Sequence, residues 1–206
     1  MKLASYNIRP FVVVLQEMPE KEKFIMAHFK ERGMEAEPFN GISAAVAGLK
    51  TTHNYEVDAP GSGWNMGTKP VATWLSFYML WSGLNLLPET HFATLEWDCQ
   101  LPENWRARTE AALRDVSQDF DMLFIGSCCA DGGPKKHVAG DVYATRHVQC
   151  GHFTILAHKA LPVLLRTLRK VWAPLDIQVM REALPLLKTY AVLPRIANQF
   201  ETVLPP

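Results

Sequence analysis

The sequence lacks any long hydrophobic run. No stretch reaches the ~18 consecutive apolar residues that a membrane-spanning helix needs. The first ten residues, MKLASYNIRP, also lack the basic, apolar and small-residue zones of a secretory signal peptide. We therefore expect a cytoplasmic protein with no transmembrane segment. Repeats, low-complexity tracts and domain linkers are absent from the sequence as well, so we expect neither a repeat architecture nor a second domain.

Cysteine is scarce and irregularly spaced. The four cysteines, Cys99, Cys128, Cys129 and Cys150, form no CxxC pair and no other metal-ligand spacing. The adjacent residues Cys128 and Cys129 have poor geometry for a bond to each other. We therefore expect these residues to be reduced thiols with packing roles.

Charge is balanced overall but unevenly distributed. The 206 residues include 21 basic and 21 acidic ones, and 48% are hydrophobic, which is enough for one folded domain over residues 1–206. Residues 1–132 hold 11 basic and 17 acidic side chains, whereas residues 133–206 hold 10 and 4. A positive C-terminal portion suits contact with an anion such as a nucleotide diphosphate or a polymer. The alternative is that the charges scatter by chance and pair in the fold.

Strand and helix patterns alternate along the chain. The apolar run PFVVVL (10–15) predicts a strand, and the segment that ends at Gly33 predicts a helix followed by a second strand. Such β-α-β units build parallel sheets. We therefore predict an α/β fold with a mixed, mostly parallel, twisted sheet and helices on both faces. Further helices are predicted from Pro70 to Gly83, over 102–118 and over 158–172. Further strands are predicted over 91–101, over 119–127 and within 142–157. Loops are predicted over 50–69 and 128–141.

The strand HFATLEWDCQL (91–101) ends in two acids, Glu96 and Asp98. In an open α/β sheet, ligands collect beyond the carboxyl ends of the strands. Because residues i and i+2 of an extended chain point to the same side, both carboxylates are expected to face one ligand. Two close carboxylates repel each other unless a cation lies beside them, and a few oxygen ligands suit Mg²⁺ or Mn²⁺. The alternative is a solvated strand end with two ordinary acids.

Several segments, in a fixed order, resemble one enzyme family. TLEWDC is similar to the ILEDD strand end of the glycosyltransferases of family 25, which include lipopolysaccharide and procollagen galactosyltransferases. In the same way, SFYMLW resembles SHxxxW, DFDMLFIGS resembles DWDxLxLG, and CGHFTILAHKALPVLL resembles CTHAYxLSxxGAxxLL. PLDIQ and YAVLPRIANQ resemble the closing PxD and YxVxPPLxxQ of that family. The opening strand and helix also have counterparts there, so the resemblance spans nearly the whole chain.

The resemblance implies a GT-A fold and transfer of a sugar from a nucleotide-diphosphate donor, such as a UDP-sugar, to an acceptor hydroxyl. A divalent metal, Mn²⁺ or Mg²⁺, and inversion at the sugar are expected with it. The sequence departs from the family where Trp97 replaces the middle acid of EDD, where Phe77 replaces the histidine of SHxxxW, and where Lys21 and Lys23 replace arginines. In general form the chain also resembles compact viral glycosyltransferases associated with TET-type oxygenases, which modify hydroxymethylcytosine in DNA.

Carried onto this sequence, the metal motif implies Asp98 as a direct metal ligand. Glu96 is implied to contact the ribose or a metal-bound water. His152, at the place of the CTH histidine, is the candidate third ligand, and His147 is its competitor. A single histidine on an apolar strand is, however, more often a hydrogen-bonded core residue.

Asp176, at the place of the PxD acid, is the candidate catalytic base for the proton of the acceptor hydroxyl. It also directly precedes the segment IQVMREALPLL, where an aspartate commonly caps a helix. Asp131 and Asp141 are reserve candidates, although such residues are more often turn formers. Weak donor contacts are expected at the ends of the first two strands, from Leu15, Gln16, Glu17, Asn40 and Gly41.

Basic residues are the candidates for binding the acceptor. One group lies in the predicted glycine-containing loop, and another is spaced i, i+3 and i+4 along a predicted helix. If both border the crevice, a polyanionic acceptor is favoured, either DNA with a flipped base or an anionic lipooligosaccharide. A solvated helix face is the alternative structure, and a noncatalytic nucleotide- or nucleic-acid-binding protein on the same fold is the alternative function. The residues are Lys135 and Lys136, and Arg166, Arg169 and Lys170.

Overall fold

The computed structural model describes residues 1–15, 17–43, 68–128 and 133–200. Its strands are β1 (Lys2–Leu3), β2 (Tyr6–Val14), β3 (Glu37–Asn40), β4 (His91–Glu96), β5 (Cys99–Gln100), β6 (Met122–Gly126), β7 (Lys135–Ala139), β8 (Val142–Thr145), β9 (Phe153–Ala157), β10 (Thr189–Val192) and β11 (Asn198–Gln199). Its helices are α1 (Pro19–Glu31), α2 (Thr68–Leu84), α3 (Trp105–Asp115), α4 (Leu161–Thr167) and α5 (Leu175–Gln178). A 3-10 turn (His158–Ala160) precedes α4, and a π-helical turn (Val179–Ala183) and a 3-10 turn (Leu184–Leu186) follow α5. The loop predicted over 50–69 lies outside the described residues, except for its last two residues, which begin α2.

The chain opens with the predicted β-α-β unit. The last five residues of β2, 10–14, are all buried. α1 has Pro19 in its first turn and Glu20 and Glu22 near its positive N-terminal end, which are favourable helix-start residues. Gly33 follows the helix with a φ of +70°, a backbone angle that strains residues with a Cβ. The chain then returns as β3, parallel to β2.

Nine strands form one sheet with the order β1-β2-β4-β9-β6-β10-β8-β7, and β3 also pairs with β2. Parallel pairings give β2, β3 and β4 one direction and β6 and β10 one direction. β9 lies between β4 and β6 and is antiparallel to both, so these five strands all point the same way. β5 and β11 form a separate small sheet. The predicted α/β class with a mixed sheet is confirmed.

The sheet separates two hydrophobic clusters. Along β2, Phe11 and Val13 belong to one cluster, whereas Val12 and Val14 belong to the other, as the two-residue period of a strand requires. The first cluster includes residues of α2 and α4, and the second includes residues of α1 and α3. Helices therefore cover both faces, as predicted. Within the described ranges, no helix combines the length and the hydropathy needed to cross a membrane.

The acid-bearing strand is shorter than predicted. β4 ends at Glu96, and Trp97 and Asp98 form a turn that leads into β5. The expectation that strand alternation places Glu96 and Asp98 on one side is therefore wrong, because the chain between them is not extended.

The basic segments also differ from prediction. The predicted loop over 128–141 contains β7, which pairs with β8 in an antiparallel hairpin. α4 ends at Thr167, because the backbone of Leu168 (φ −96°, ψ 52°) leaves the helical region. Residues 169–170 therefore do not share a helix face with Arg166.

One pair of cysteines is bonded. Cys128 and Cys150 form a disulfide with a Cα–Cα distance of 5.4 Å. The expectation of reduced thiols is wrong for this pair, because the fold brings together residues that are 22 positions apart in sequence. Cys99 is buried and free, as expected. Cys129 lies outside the described residues.

Gly126, at the end of β6, has no room for a side chain. A Cβ there would overlap the imidazole of His152 and lie 3.0 Å from Ala197 Cβ. Only glycine therefore allows β6 to pack against both of these residues.

We predict that Gly126→Ala lowers the free energy of unfolding by about 1–3 kcal/mol, the usual cost of overpacking a core. Urea denaturation measures this change. Gly83→Ala in α2 is the matched control, since a Cβ at Gly83 meets nothing within 4 Å. The control should leave the free energy of unfolding unchanged or raise it by up to about 1 kcal/mol. Equal losses in the two variants would contradict this packing.

Candidate functional site

The carboxyl ends of three neighbouring parallel strands meet at one edge of the sheet. The register pairs Val14 of β2 with Asn40 of β3, and Val13 of β2 with Glu96 of β4. Leu15 follows β2 directly. The structure thus brings two of the predicted donor contacts, Leu15 and Asn40, to the same edge as Glu96.

The other predicted donor contacts lie beside this edge. Gly41 donates its N–H to the Val14 carbonyl at 2.7 Å and so continues the pairing beyond β3. Glu17 is exposed. Gln16 lies outside the described residues. A role in donor binding stays a prediction for each of them.

Ser76 connects α2 to this edge. Its hydroxyl donates to the Ala72 carbonyl at 2.7 Å and accepts the Ile42 N–H at 2.8 Å. A Cβ at Gly41 would lie 2.9 Å from Ser76 Oγ, so glycine permits the close approach. Phe77, which replaces the histidine of the family motif, is buried on the same helix.

One amide holds two of the acids together. Gln199 Nε2 donates to Glu96 Oε2 at 3.4 Å and to Asp98 Oδ2 at 3.3 Å. β11 carries Gln199 to this position by pairing with β5, and the Phe200 N–H donates to the Asp98 carbonyl at 2.8 Å. The two carboxylates therefore lie together because of a turn and the closing strand, rather than because of strand alternation.

A third carboxylate, that of Asp176, lies near Glu96. Its Oδ2 accepts the Cys150 N–H at 3.1 Å, and its Oδ1 accepts the Ile177 N–H at 2.9 Å. Pro174 occupies the N-cap position of α5, so the alternative role of Asp176 as the cap is wrong by position. Asp176 instead lies in the first turn of the helix.

Burial favours the protonated forms of Glu96 and Asp98. The pKa of Glu96 is raised from 4.5 to about 8, first by burial and then by the charges of Asp98 and Asp176. Hydrogen bonds from the Gly151 N–H and from Gln199 oppose this rise. Burial also raises the pKa of Asp98. In the free protein these causes favour the protonated form of Glu96 at neutral pH.

A cavity of about 380 Å³ opens at these acids. Glu96, Asp176 and Gln199 line it together with side chains of α2, β4, β6 and β9. Lys69 is the one basic residue among the described residues that line it. Asp98 is not a lining residue and is connected to the cavity through Gln199. The arrangement can bind a ligand, accept a proton from it and hold a cation at its rim.

His152 is a core residue in this structure. Its side chain is fully buried, and its Nε2 lies 3.0 Å from the Ala197 carbonyl oxygen. Because a carbonyl only accepts hydrogen bonds, Nε2 carries the proton. Burial lowers the pKa of His152, which keeps the ring neutral. The alternative interpretation of His152 as a hydrogen-bonded core residue fits the geometry, and its competitor His147 lines a different cavity.

The acid pair alone fits a divalent cation. The described residues contain no group of three His, Cys, Asp or Glu side chains placed to hold a metal ion. Within the same ranges, Asp98 Oδ1 is buried without a hydrogen-bond partner. Mg²⁺ is commonly held by one or two carboxylates while substrate phosphates and waters complete its shell. Glu96 and Asp98 fit such a site, whereas His152 does not.

None of the five basic residues predicted to bind the acceptor lines this cavity. All five are exposed at the surface. The stated condition for a polyanionic acceptor, that both basic groups border the crevice, is therefore not met by the described residues. Asp141 also lies elsewhere, 3.8 Å from Arg108 Nη2, and Asp131 is outside the described residues. The five basic residues that lie outside the cavity lining are Lys135, Lys136, Arg166, Arg169 and Lys170.

Two departures from the family motif are in contact with each other. Lys21 Nζ lies 4.8 Å from the ring centroid of Trp97. A cation over an indole face is attracted by the ring electrons. Trp97 therefore holds a cation, the side chain of Lys21.

Sequence reasoning missed Gln199 and the backbone N–H groups that fix the acids. Gln199 ends the segment YAVLPRIANQ, which matches the glutamine of YxVxPPLxxQ, so a signal for it was present. No sequence signal identifies the N–H of Cys150, because its φ of +52° and its disulfide are properties of the assembled fold.

No protein-family model matches the sequence, and no curated protein sequence matches it either. Among solved structures, the apo form of mouse xyloside xylosyltransferase 1 matches with a TM-score of 0.40 and 11% sequence identity. The match covers 89% of this chain and 71% of that chain. The function proposed below rests on the site and not on this likeness.

The raised pKa of Glu96 predicts that its contribution to the free energy of unfolding falls as the pH rises. A carboxyl whose pKa is higher in the folded state stabilises the fold fully below its unfolded pKa of 4.5, and this contribution is lost as the pH rises through about 8. Glu96→Gln keeps the shape of the side chain but cannot ionise. We therefore expect the free energy of unfolding of Glu96→Gln to exceed that of the wild type by an increasing amount from pH 4.5 to about 8.

Urea denaturation over this pH range, in the presence of a chelator, measures the effect. Glu103→Gln is the matched control, because the Glu103 side chain is 88% exposed. Its curve should run parallel to that of the wild type. A parallel curve for Glu96→Gln would show that Glu96 ionises normally in the folded protein.

Proposed function

We propose that this protein is a metal-dependent GT-A glycosyltransferase that moves a sugar from a nucleotide-diphosphate donor, such as a UDP-hexose, to an acceptor hydroxyl with inversion. The observation that supports this most strongly is the gathering of Glu96, Asp98 and Asp176 beside a cavity at the carboxyl ends of the strands. Burying like charges together destabilises a fold. Their clustering is therefore better explained by chemistry than by packing.

Glu96 and Asp98 are the residues that would hold Mn²⁺ or Mg²⁺, which when bound neutralises the departing diphosphate. Gln199 orients both carboxylates through its two N–H donors. The neighbouring strand ends at Leu15 and Asn40 offer a surface for the nucleotide, since they share an edge with the acids.

Asp176 is the proposed base. In an inverting transfer the acceptor hydroxyl attacks from the face opposite the leaving group, and a base beside the hydroxyl takes its proton. Backbone N–H groups of Cys150 and Ile177 fix the Asp176 carboxylate, which lines the same cavity as Glu96. A hydroxyl bound in the cavity can therefore reach this base.

A noncatalytic nucleotide-binding protein is the second candidate function. It is favoured by the contact of Lys21 with Trp97, which occupies the place of a motif acid, and by the core position of His152. Both functions predict nucleotide binding, but only the first predicts turnover that depends on the acids.

We predict that Asp98→Ala abolishes the Mn²⁺-dependent hydrolysis of UDP-sugars. Activity should be lost because Glu96 alone cannot hold the cation in place beside the donor phosphates. Release of UDP from a panel of UDP-sugars, with and without Mn²⁺, measures it, and Glu103→Gln should retain the wild-type rate. Equal rates in the wild type and Asp98→Ala would count against catalysis, and UDP binding without hydrolysis would favour the second candidate.

For Asp176→Asn we predict transfer slowed by about 10²–10⁴-fold, the usual contribution of a general base. The affinity for UDP with Mn²⁺ should change far less than the rate, because Asp176 is not assigned to the donor and acts on Glu96 only through its charge. Calorimetry gives the affinity and product analysis gives the rate. A parallel loss of affinity and rate would mean that Asp176 binds the donor rather than acting as the base.

A further inference from the structure

The cavity at the acids continues as a slot beneath α2. Pro70, Thr73, Phe77 and Trp81 line it and recur every three or four residues, so they form one face of the helix. α2 leads from the carboxyl edge of the sheet to the start of β4, so Trp81 lies deeper than Pro70. At about 1.5 Å per residue, this wall is about 16 Å long.

The sheet forms the opposite wall. Thr94, Thr154 and Phe124 lie side by side in one register row, and Leu156 and Met122 lie side by side in a deeper row. The deeper row is in register with Phe92, which lies four positions before Glu96 in β4. With a rise of about 3.3 Å per residue, it lies about 13 Å below the acids.

The inner part of the slot is apolar. Its lining includes Phe77, Trp81, Met122, Leu156 and Val179. Lys69, the basic residue described on the lining, lies at the start of α2, at the mouth. A diphosphate or a polyanion therefore meets no positive charge from the described residues inside the slot, whereas an apolar body is complementary to it.

One polar group in this wall has no partner among the residues that the structure describes. Trp81 Nε1 is buried and donates no hydrogen bond to any described residue. Trp74, Trp105 and Trp172 each donate their indole N–H to an oxygen at 2.7 to 3.2 Å. A buried N–H without an acceptor destabilises a fold, so an oxygen supplied by a ligand would satisfy it.

We propose that this slot binds the acceptor, and that the acceptor is a small hydroxylated molecule with an apolar body, of the class of alkylphenols and long-chain alcohols that carry a second oxygen at the far end of the alkyl chain. Its reacting hydroxyl lies at Asp176, and an oxygen at its far end accepts the Trp81 N–H. The role as acceptor rests on the glycosyltransferase function proposed above, but the binding does not. DNA and lipooligosaccharide, the acceptors expected from the sequence, would instead require basic residues at this cavity.

The transfer is balanced in atoms and electrons. The hydroxyl oxygen forms a bond to C1 of the donor sugar, and its proton passes to the Asp176 carboxylate. The bond from C1 to the diphosphate oxygen breaks, and its electron pair leaves on that oxygen. The products are the glycoside, the nucleoside diphosphate and protonated Asp176.

Calorimetry of 4-hexylphenol with the full chain, without nucleotide, tests the binding. Thr73 is exposed and lines the slot, so Thr73→Phe should block the slot without disturbing the core and weaken binding by about tenfold or more. Met79→Phe is the matched control, because Met79 is 47% exposed on the same helix and does not line the slot. Its affinity should equal that of the wild type. No binding by the wild type, or equal binding by Thr73→Phe, would overturn the proposal.

Trp81→Phe tests the far-end oxygen, because it keeps an aromatic ring and removes the N–H. We expect 6-(4-hydroxyphenyl)hexan-2-one to bind the wild type about fivefold more tightly than 4-hexylphenol, and the two to bind Trp81→Phe equally. An unchanged preference in the variant would overturn the assignment of the oxygen to Trp81. Circular dichroism checks that Trp81→Phe folds. If it does not fold, the binding measurement with Thr73→Phe still tests the slot.

A transfer assay with UDP-sugars and Mn²⁺ separates the two proposals. Formation of a 4-hexylphenyl glycoside by the wild type, but not by Thr73→Phe, supports the acceptor role. Glycosylation of DNA or of an oligosaccharide, with the bound phenol left unmodified, would overturn it. Absence of both hydrolysis and transfer with every acceptor would contradict the proposed function. In that case, binding of the phenol by the wild type and its loss in Thr73→Phe would still show that the slot is a ligand site.

Discussion

The gathering of three carboxylates at the end of a central strand, two of them joined by the Gln199 amide, is the constraint on which the rest of this structure depends. The charges of Asp98 and Asp176 disfavour a negative charge on Glu96, and the described contacts that offset this repulsion are hydrogen bonds from Gln199 and from the Gly151 N–H. Such groups stabilise negative charge only in part. The raised pKa of Glu96 favours its protonated form in the free protein, and under the proposed function a cation would take the place of that proton.

The fold holds this unfavourable cluster through long-range contacts. β4 is paired on both sides, by β2 and by β9, so Glu96 is fixed at the end of a fully hydrogen-bonded strand. The close packing of Gly126 on His152, and the hydrogen bond between His152 and Ala197, place the segment that leads to Gln199. Stable packing away from the acids thus allows a locally destabilised site, a common arrangement in binding and catalytic proteins.

The sequence predicted the parts that depend on local periodicity. The β2-α1-β3 unit and the largely apolar α2 follow from residue patterns that span one element, and Glu96 was conspicuous as an acid at the end of an apolar strand. Gln199 and the Cys128–Cys150 disulfide depend on contacts between distant segments, so local patterns do not specify them. The turn at Trp97 and the end of α4 at Thr167 were missed, because short apolar runs fit a longer strand or helix equally well.

The proposed acceptor slot and the acids at its mouth belong to one cavity and offer two kinds of chemistry. The strand ends provide charge, whereas deeper in the cavity Phe77 and Trp81 of α2 and Met122 and Leu156 of the sheet provide an apolar surface. A ligand with a polar end and an apolar body matches both parts at once.

The carboxyl ¹³C chemical shift of Glu96, followed by NMR as the pH is varied in chelator and then in Mg²⁺, tests the central claim most directly. A midpoint at about pH 8 in chelator, which falls when Mg²⁺ is added, is the predicted result. A midpoint near 4.5 in chelator, or one that Mg²⁺ does not move, would contradict the account.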